Sequence, residues 1–258
     1  MKVATWNVNS IRARLPRVLA WIETAAPDVL CLQETKVEDA AFPREELCAR
    51  GYELAIYGQK TYNGVAILSR QPIADIACGL GIDPEGGEAR LIAGTTFGVR
   101  VISAYFPNGR EVGSVHYQRK LAWMAALRDY FARDHEPGEA IVLCGDFNVA
   151  PGDLDVHDPV AWAGKNLCSE PEREALAALS AWGFSDLFRT VQPEGGFYSW
   201  WDYRQLGFPK NRGLRIDHIF ATASLRERCE GVVIDREARK GKLPSDHAPV
   251  IATFRDPE

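Results

Sequence analysis

Short apolar runs with the length of β-strands alternate with amphipathic helical segments along the whole sequence, and this alternation restricts the fold more than any other feature. The predicted strands are Val3–Trp6, Val29–Leu32, Leu54–Tyr57, Val65–Leu68, Leu91–Thr95, Val99–Tyr105, Ile141–Cys144, Leu214–Ala221 and Val250–Phe254. The predicted helices are Leu15–Ala25, Phe42–Arg50, His116–Arg133 and Glu172–Trp182. Phe97-Gly98 indicates a hairpin between two of the strands. Because no repeat, low-complexity tract or change of composition interrupts the series, we expect one layered α/β domain over residues 1–258.

The composition is that of a globular protein with a substantial core, since 46% of the 258 residues are hydrophobic and 25% are charged. No stretch approaches the roughly 20 apolar residues that cross a bilayer. Asn7 and Asn9 interrupt the N-terminal sequence MKVATWNVNS, which therefore does not have the pattern of a signal peptide. The six cysteines include no C-x-x-C pair and are predicted to be reduced and mostly buried. We expect a cytoplasmic protein that makes no contact with membranes.

The net charge of −5 bears on the class of partner. Nucleic-acid-binding proteins usually present basic surface, so an acidic chain argues weakly against such a partner. Acids that act as metal ligands, however, lower the net charge and create an anion-binding site once the metal is bound. The charge alone therefore does not exclude nucleic acid.

Polar side chains stand at the ends of predicted strands in five separate segments. They are Asn7 in VATWN, Glu34 in VLCLQET, Asp146 and Asn148 in IVLCGDFN, Asp217 in GLRIDHIF, and Asp246 and His247 in PSDHAPV. Carboxylates and amides at the margins of apolar strands are costly to bury unless they are paired or bound to a metal. Five such segments, spread from one terminus to the other, predict strand ends that converge on one crevice.

The types of side chain in these segments select the metal and the reaction. Carboxylate and amide oxygens are hard donors that suit Mg²⁺ or Mn²⁺. Zinc is disfavoured because the five histidines have no ligand spacing. Sites for Mg²⁺ usually hold one or two carboxylates and leave the remaining positions to a substrate phosphate. The pattern therefore predicts phosphate-ester chemistry.

Six motifs carry a resemblance to a known family. In order, they are WNVNSIRAR, CLQETK, YFPNG, GDFNVAP, NRGLRIDHIF and PSDHAPV. With SWWDYR they make the whole chain similar to the exonuclease III, or apurinic/apyrimidinic (AP) endonuclease, family within the endonuclease/exonuclease/phosphatase superfamily. The resemblance implies a four-layer α-β-β-α sandwich of the DNase I type, dependence on Mg²⁺ with Mn²⁺ as a substitute, and double-stranded DNA as the substrate. We expect the protein to act as a monomer.

The resemblance also implies roles for the metal-binding and water-activating residues. Glu34 would be the principal metal ligand, supported by Asn7 and by Asp246. Asp146 would prepare the attacking water, and Asn148 would orient that water or bind the phosphate.

His247, paired with Asp217, would contact the scissile phosphate as a cation, and Tyr105 would hydrogen-bond the same group or assist the leaving oxygen. An alternative pairs Asp217 with Arg215. The sequence leaves open whether Asp146 or a neutral His247 takes the proton from the water. Because PSDH lies in a turn before the last strand, the strict alternation of a strand does not apply there, and the side chains of Asp246 and His247 are both free to face the crevice.

Substrate-binding residues are expected around these motifs. Trp200 would lie beside an extruded abasic sugar while Trp201 packs inward, and the remaining candidates are Asn108, Arg90, Arg212, Leu214 and Lys36. Two basic stretches that flank the motifs are expected to form positive rims around the acidic floor. They contain Arg204, Lys210, Arg212 and Arg215, and Arg236, Arg239, Lys240 and Lys242.

Two further histidines need separate treatment. His218 follows Asp217 in a strand and should face the opposite side, so we assign it to the core. His157 lies in the loop Asp153–Ser169, where it is either a surface histidine or a residue that limits the room for an abasic site. In the second case it would shift the balance between AP-site incision and 3′ trimming.

The sequence therefore predicts a Mg²⁺-dependent DNA repair nuclease. It would incise 5′ to abasic sites, leave a 3′ hydroxyl, and act as a 3′–5′ exonuclease and 3′-phosphodiesterase or phosphatase. One alternative is an RNA or small-phosphoester hydrolase of the same superfamily, such as a phosphodiesterase for phosphoinositides or sphingolipids. A second alternative is a catalytically inactive DNA-binding scaffold.

Overall fold

A computed structural model describes residues 1–81 and 87–256 of the chain, and within these residues twelve strands form two six-stranded sheets. The strands are β1 (Lys2–Asn7), β2 (Val29–Gln33), β3 (Glu53–Tyr57), β4 (Val65–Ser69), β5 (Ala74–Cys78), β6 (Leu91–Thr96), β7 (Val99–Tyr105), β8 (Ile141–Asp146), β9 (Ser185–Asp186), β10 (Asp217–Ala221), β11 (Cys229–Ile234) and β12 (Val250–Phe254). The α-helices are α1 (Ile11–Ala25), α2 (Arg44–Cys48), α3 (Val115–Asp134), α4 (Pro159–Trp162), α5 (Glu170–Ala181), α6 (Leu187–Val191) and α7 (Ala223–Arg226).

The two sheets pack face to face, and helices cover both outer faces. The first sheet has the strand order β11-β12-β1-β2-β4-β3, and the second has the order β5-β6-β7-β8-β10-β9. Apolar side chains from both sheets, among them Cys31 of β2 and Val101 of β7, form the core between them. Helix α1 packs on the outer face of the first sheet, and α3 and α5 pack on the outer face of the second. The expected four-layer α-β-β-α sandwich is confirmed.

The interior strands are apolar along their whole length because both of their faces are buried. In β2, Val29 and Cys31 contribute to the core between the sheets, whereas Leu30 and Leu32 pack with the residues of α1. Successive side chains of a strand point to opposite faces, so each residue of this run has an apolar environment. A continuous apolar run of this kind is typical of a strand covered on both sides.

The topology brings the ends of distant strands to one edge of the sandwich. β1 runs parallel to β2, and β7 runs parallel to β8, with Asn7 opposite Gln33 and Tyr105 opposite Asp146. β10 runs antiparallel to β8 and begins with Asp217 opposite Asp146. β12 runs antiparallel to β1, so its first residue also lies near this edge. Polar residues that end β1, β7 and β8 therefore meet those that precede or begin β12 and β10.

Most predicted elements agree with the structure, and β7 and β12 have the predicted bounds. Helix α1 begins at Ile11 rather than at the predicted Leu15, because the Ser10 hydroxyl accepts a hydrogen bond from a backbone N–H of the first turn. Helix α2 is shorter than the predicted Phe42–Arg50, since Phe42 has an extended backbone. The late strand predicted from Leu214 begins only at Asp217.

Three strands of the structure, β5, β9 and β11, are not among the predicted elements. β5 is an edge strand whose five residues are all exposed, so its sequence has no apolar alternation to detect.

The expectation of mostly buried thiols is only partly right, because Cys48 and Cys78 are exposed. No helix in the described part of the chain has the length and apolar character needed to cross a bilayer.

Candidate active site

An amide between two carboxylates forms the centre of the site. The Nδ2 atom of Asn7 donates to Glu34 Oε1 at 2.7 Å and to Asp146 Oδ2 at 2.9 Å. Asn7 ends β1, Glu34 follows β2, and Asp146 ends β8, so this amide connects the two sheets. Glu34 has a left-handed backbone with φ of 51°. Non-glycine residues in this conformation are uncommon and cluster at functional sites.

A buried histidine, His247, faces the centre from the turn that precedes β12. His247 Nδ1 lies 2.8 Å from Asp217 Oδ2, and His247 Nε2 lies 3.8 Å from Asp146 Oδ2. Burial opposes protonation of this imidazole, but the carboxylates of Asp217 and Asp146 raise its pKa to about 10. Burial is also the main reason that the pKa of Asp146 is raised to about 7. At neutral pH His247 is therefore protonated, because its pKa is higher than the pKa of the Asp146 carboxylate beside it.

Glu34, Asp146 and His247 form a cluster, in which the two carboxylates fit a metal ion and the protonated His247 lies beside them. One side-chain oxygen or nitrogen of each residue lies within 4.8 Å of those of the others, and Glu34 is the most accessible of the three. Two carboxylates beside an amide supply the oxygen donors that a hard divalent cation prefers, and a phosphate is able to complete the shell. The arrangement agrees with the ligand types expected from the sequence.

Asp246 lies on the other side of Asn9. Asn9 Nδ2 donates to Asp246 Oδ1 at 3.0 Å, and Trp200 Nε1 donates to Asp246 Oδ2 at 3.1 Å. Lys36 Nζ donates to Asn9 Oδ1 at 2.6 Å and lies 2.8 Å from Glu34 Oε2. The structure therefore places Asp246 in a hydrogen-bond network around the centre, outside the three-residue cluster. Lys36 neutralises part of the charge of Glu34.

Two asparagines complete the floor beside Asp146. The Asn148 backbone N–H donates to Asp146 Oδ1 at 2.9 Å, and Asn148 Nδ2 lies 3.3 Å from Asp146 Oδ2. Asn108 Nδ2 donates to Asn148 Oδ1 at 2.9 Å. Asn148 has φ of 50°, a conformation that asparagine tolerates better than most residues. The loop after β8 is thus folded tightly around the Asp146 carboxylate.

Tyr105 and Arg90 line a cleft of about 790 Å³ that also reaches Asn108. Burial raises the pKa of the Tyr105 hydroxyl well above its ordinary value, and the carboxylates of Glu34 and Asp146 raise it further. The Arg90 guanidinium lies 5.0 Å from the centre of the Tyr105 ring. The tyrosine is therefore held as a protonated hydrogen-bond donor close to the carboxylates.

Trp200 is half-buried and Trp201 is fully buried, as their adjacent positions predict. Trp200 forms isolated β-bridges with Leu214 and with His247, so its backbone lies directly beside His247, and its indole N–H donates to Asp246. Leu214 is fully buried in the apolar cluster against which Trp200 packs. The His157 backbone N–H donates to Gly213 O at 3.2 Å, which fixes the loop 153–169 next to Leu214.

The basic stretches differ from the expectation. Arg215 is fully buried and forms ion pairs with Asp155 and Asp186, so it belongs to neither a positive rim nor a pair with Asp217. Arg239 is also buried, with its guanidinium over the ring of Tyr203. Residues of these stretches that are exposed are Arg204, Lys210, Arg212, Lys240 and Lys242, of which Arg204 pairs with Asp202 and Lys240 with Glu237. His218 is fully buried, and its assignment to the core is confirmed.

Sequence reasoning missed three polar residues that hold the site together. Asn9 links Asp246 to Lys36, as described above. The Ser245 hydroxyl donates to Asn7 O at 2.7 Å and accepts from the His247 backbone N–H. The Ser199 hydroxyl accepts from the Asp217 backbone N–H at 2.9 Å. All three stand inside motifs quoted above, WNVNSIRAR, PSDHAPV and SWWDYR, and this is the one signal that marks them.

Comparison with known proteins agrees with this geometry. The sequence profile described as "Endonuclease/Exonuclease/phosphatase family" matches residues 4–247. The exodeoxyribonuclease III of Haemophilus influenzae is 39% identical over 267 aligned positions, which cover 99% of this chain and 100% of that protein.

Two solved structures are similar over nearly their whole length. The 3′ phosphatase NExo from Neisseria, bound to a product DNA hairpin, has a TM-score of 0.93 and 44% identity, with 99% of each chain covered. An AP endonuclease from Archaeoglobus fulgidus has a TM-score of 0.95 and 39% identity, with 98% of this chain and 99% of that chain covered.

Proposed function

Because the chain belongs to the endonuclease/exonuclease/phosphatase family, we propose that it is a Mg²⁺-dependent nuclease that repairs duplex DNA by incision 5′ to abasic sites and by removal of nucleotides or blocking groups from 3′ ends. The observation that carries this proposal is the convergence of Glu34, Asp146 and His247 within 4.8 Å at one edge of the sandwich. Hydrolysis of a phosphodiester needs a nucleophilic water, neutralisation of charge on the phosphate and a stabilised leaving oxygen. The residues of this cluster and their neighbours are able to meet each need.

Glu34 would hold the metal ion, with Asn7 beside it and Asp246 supporting it through Asn9. Mg²⁺ would supply Lewis-acid stabilisation of the charge that develops on the phosphate, and Mn²⁺ would substitute for it. The donor types support this choice, since carboxylates and amides favour Mg²⁺ and Mn²⁺ over softer metals.

Asp146 is the better candidate for the general base. Its carboxylate has a pKa raised to about 7, close to the value at which a base works best near neutral pH. His247 has the higher pKa and a carboxylate partner in Asp217, so it would act as a cation that binds the phosphate. Asn148, anchored on Asp146, would orient the water or the phosphate, and Tyr105 would donate a hydrogen bond to the leaving oxygen.

The surface beside Trp200 would receive the sugar of an abasic site or of a 3′-terminal nucleotide. Trp200 is half-buried, its backbone bridges to His247 and its indole N–H donates to Asp246, so a sugar packed against it would reach the cluster. Asn108 and Arg90 on one side, and Arg212 and Lys36 on the other, would contact flanking phosphates. One relative in this family is described as a 3′ phosphatase and another as an AP endonuclease, and both activities come to this chain as proposals.

The test is incubation of the purified protein with three labelled DNA duplexes, which carry an internal abasic site, blunt ends or a 3′ phosphate at a nick. A labelled RNA duplex and sphingomyelin vesicles are assayed in parallel. Each is measured in Mg²⁺, in Mn²⁺ and in EDTA, with Asp146→Asn as the matched inactive control. We expect cleavage 5′ to the abasic site with a 3′-hydroxyl product, and shortening or dephosphorylation of 3′ ends. Both activities should be present in Mg²⁺ and in Mn²⁺ and absent in EDTA. Tight binding without cleavage would support a scaffold, and preferential turnover of RNA or of lipid phosphodiesters would support the other hydrolases; either outcome overturns the proposal.

A further inference from the structure

A lysine lies fully buried behind the candidate active site. Lys120 of α3 has no exposed surface, and its ammonium forms an ion pair with Glu172 of α5, which is also fully buried. Burial of such a pair has a desolvation cost that a pair of apolar residues of similar volume does not have. Packing between α3 and α5 therefore does not explain why charges occupy this position.

The remaining contacts of this ammonium are with the loops of the active site. Lys120 Nζ donates to the backbone carbonyl of Asn148 at 2.6 Å and lies 3.4 Å from the carbonyl of Asn108. These are the two residues whose side chains hydrogen-bond each other at 2.9 Å next to Asp146. One buried cation thus contacts the main chain of both asparagines.

The segment after Asp146 is fixed by a series of such contacts. The carbonyl of Val149 accepts from His218 Nε2 at 2.9 Å, and the carbonyl of Ala150 accepts from Arg173 Nε at 3.2 Å. Together with the Lys120 contact, three successive carbonyls are each bound by a side chain from a different element. Asn148 itself has a left-handed backbone, which persists only where the surroundings hold it.

Glu172 places the lysine. Its carboxylate accepts hydrogen bonds from the backbone N–H groups of Leu167 and Ser169, both at 3.1 Å, in addition to the ion pair. The ammonium is therefore held between a carboxylate whose own position is fixed and the two carbonyls of the active-site loops.

We propose that Lys120 is a positioning residue for the hydrolysis, which holds the main chain of Asn108 and Asn148 so that the Asn148 side chain stays aligned on Asp146. This inference rests on the nuclease function proposed above. Displacement of a reacting group by about 1 Å costs on the order of 10²-fold in rate. Loss of the ammonium should therefore lower kcat by about 10- to 100-fold without a comparable change in KM.

The test compares wild type with Lys120→Met/Glu172→Gln, which leaves no uncompensated buried charge, and with Tyr117→Phe as the control. Tyr117 lies on the same helix and its hydroxyl is 2.6 Å from Ser169 Oγ, so its loss perturbs the same region without touching a carbonyl of the active-site loops. Thermal unfolding, kcat and KM are measured for each protein on the substrate that the wild type cleaves.

We expect the double variant to be folded, with kcat lowered about 10- to 100-fold and KM within about threefold of wild type. Tyr117→Phe should keep the kcat of wild type, even where its unfolding temperature falls by as much as that of the double variant or by more. Wild-type kcat in a folded double variant, or equal loss of kcat in Tyr117→Phe, would overturn the role of Lys120. If this double variant does not fold, a second charge-free pair, Lys120→Met/Glu172→Met, is assayed at a temperature where it is folded, and the same criteria apply. Inactivity of the wild type would instead remove the proposed function.

Discussion

Acidification should destabilise this fold through His218, a histidine that cannot be protonated without loss of its contact with Arg215. His218 Nδ1 lies 2.9 Å from the Arg215 guanidinium, which only donates, so this nitrogen must accept. The other nitrogen lies 2.9 Å from the carbonyl of Val149 and must therefore carry the proton. A second proton would place an N–H against the guanidinium in a fully buried site.

The pKa of His218 follows from this environment. Burial is the main cause of its decrease, and the Arg215 charge adds to it, so that the pKa falls from 6.5 to about 4. Between pH 6.5 and pH 4 the histidine of the unfolded chain, which titrates near 6.5, is protonated, whereas His218 of the folded protein is still neutral. The stabilising contribution is therefore fully present above pH 6.5 and is lost as the pH falls toward 4. With 1.36 kcal/mol for each pKa unit, the difference amounts to about 3 kcal/mol.

The measurement is urea unfolding of wild type and His218→Gln at several pH values between 7 and 4, in EDTA, followed by tryptophan fluorescence. Glutamine keeps a donor for the Val149 carbonyl and does not titrate. We expect wild type to lose about 3 kcal/mol more than the variant over this range. The pKa of Asp155 is also lowered in the fold, but its contribution is common to both proteins and cancels in the difference. Replacement of the exposed His116 by glutamine serves as the control. Parallel pH profiles of wild type and His218→Gln would refute the argument.

Four further perturbations test the site and its support. Glu34→Ala should weaken Mg²⁺ binding, measured by calorimetry, and abolish Mg²⁺-dependent cleavage; unchanged binding would remove it from the ligand set. Asp146→Asn should lower kcat by about 10²- to 10³-fold, and near wild-type turnover would count against its role. His157→Gly should change the ratio of AP-site incision to 3′ trimming in matched assays, and an unchanged ratio leaves it a surface histidine. Asp155→Asn should lower the free energy of unfolding by about 3 kcal/mol, because it leaves buried Arg215 short of a partner, and a change below about 1 kcal/mol would contradict this.

The sequence predicted the parts of the site that lie in regular elements. Asn7 and Asp146 end strands whose apolar runs are long and continuous, so their position at a common edge follows from the alternation of strands and helices. Glu34 follows the next such strand, and the motif around it added the expectation of a metal. At these three positions the local hydrophobic pattern and the observed fold lead to the same placement of the side chain.

The missed features depend on tertiary contacts that leave no local pattern. Lys120 lies in an amphipathic helix, where a lysine is normally expected on the solvent side, and its burial depends on the ion pair with Glu172 and on the hydrogen bond to the Asn148 carbonyl. Arg215 stands two residues from Asp217, so the local sequence suggested a pair. In the structure Arg215 pairs with Asp155 and Asp186 instead, and Asp217 pairs with His247. Strand β5 escaped detection because an exposed edge needs no apolar alternation.

The pairing of β1 with β12 has a consequence for folding. Asn7 at the end of β1 and His247 just before β12 are remote along the sequence but adjacent at one edge of the first sheet. The Met1 ammonium donates to Phe254 O at 2.9 Å, so this side of β1 is completed only when β12 has paired with it. Contacts between residues so far apart in the chain are slow to form. A folding intermediate in which β12 is still unpaired would therefore lack the proposed active centre, even if the rest of the sandwich had formed.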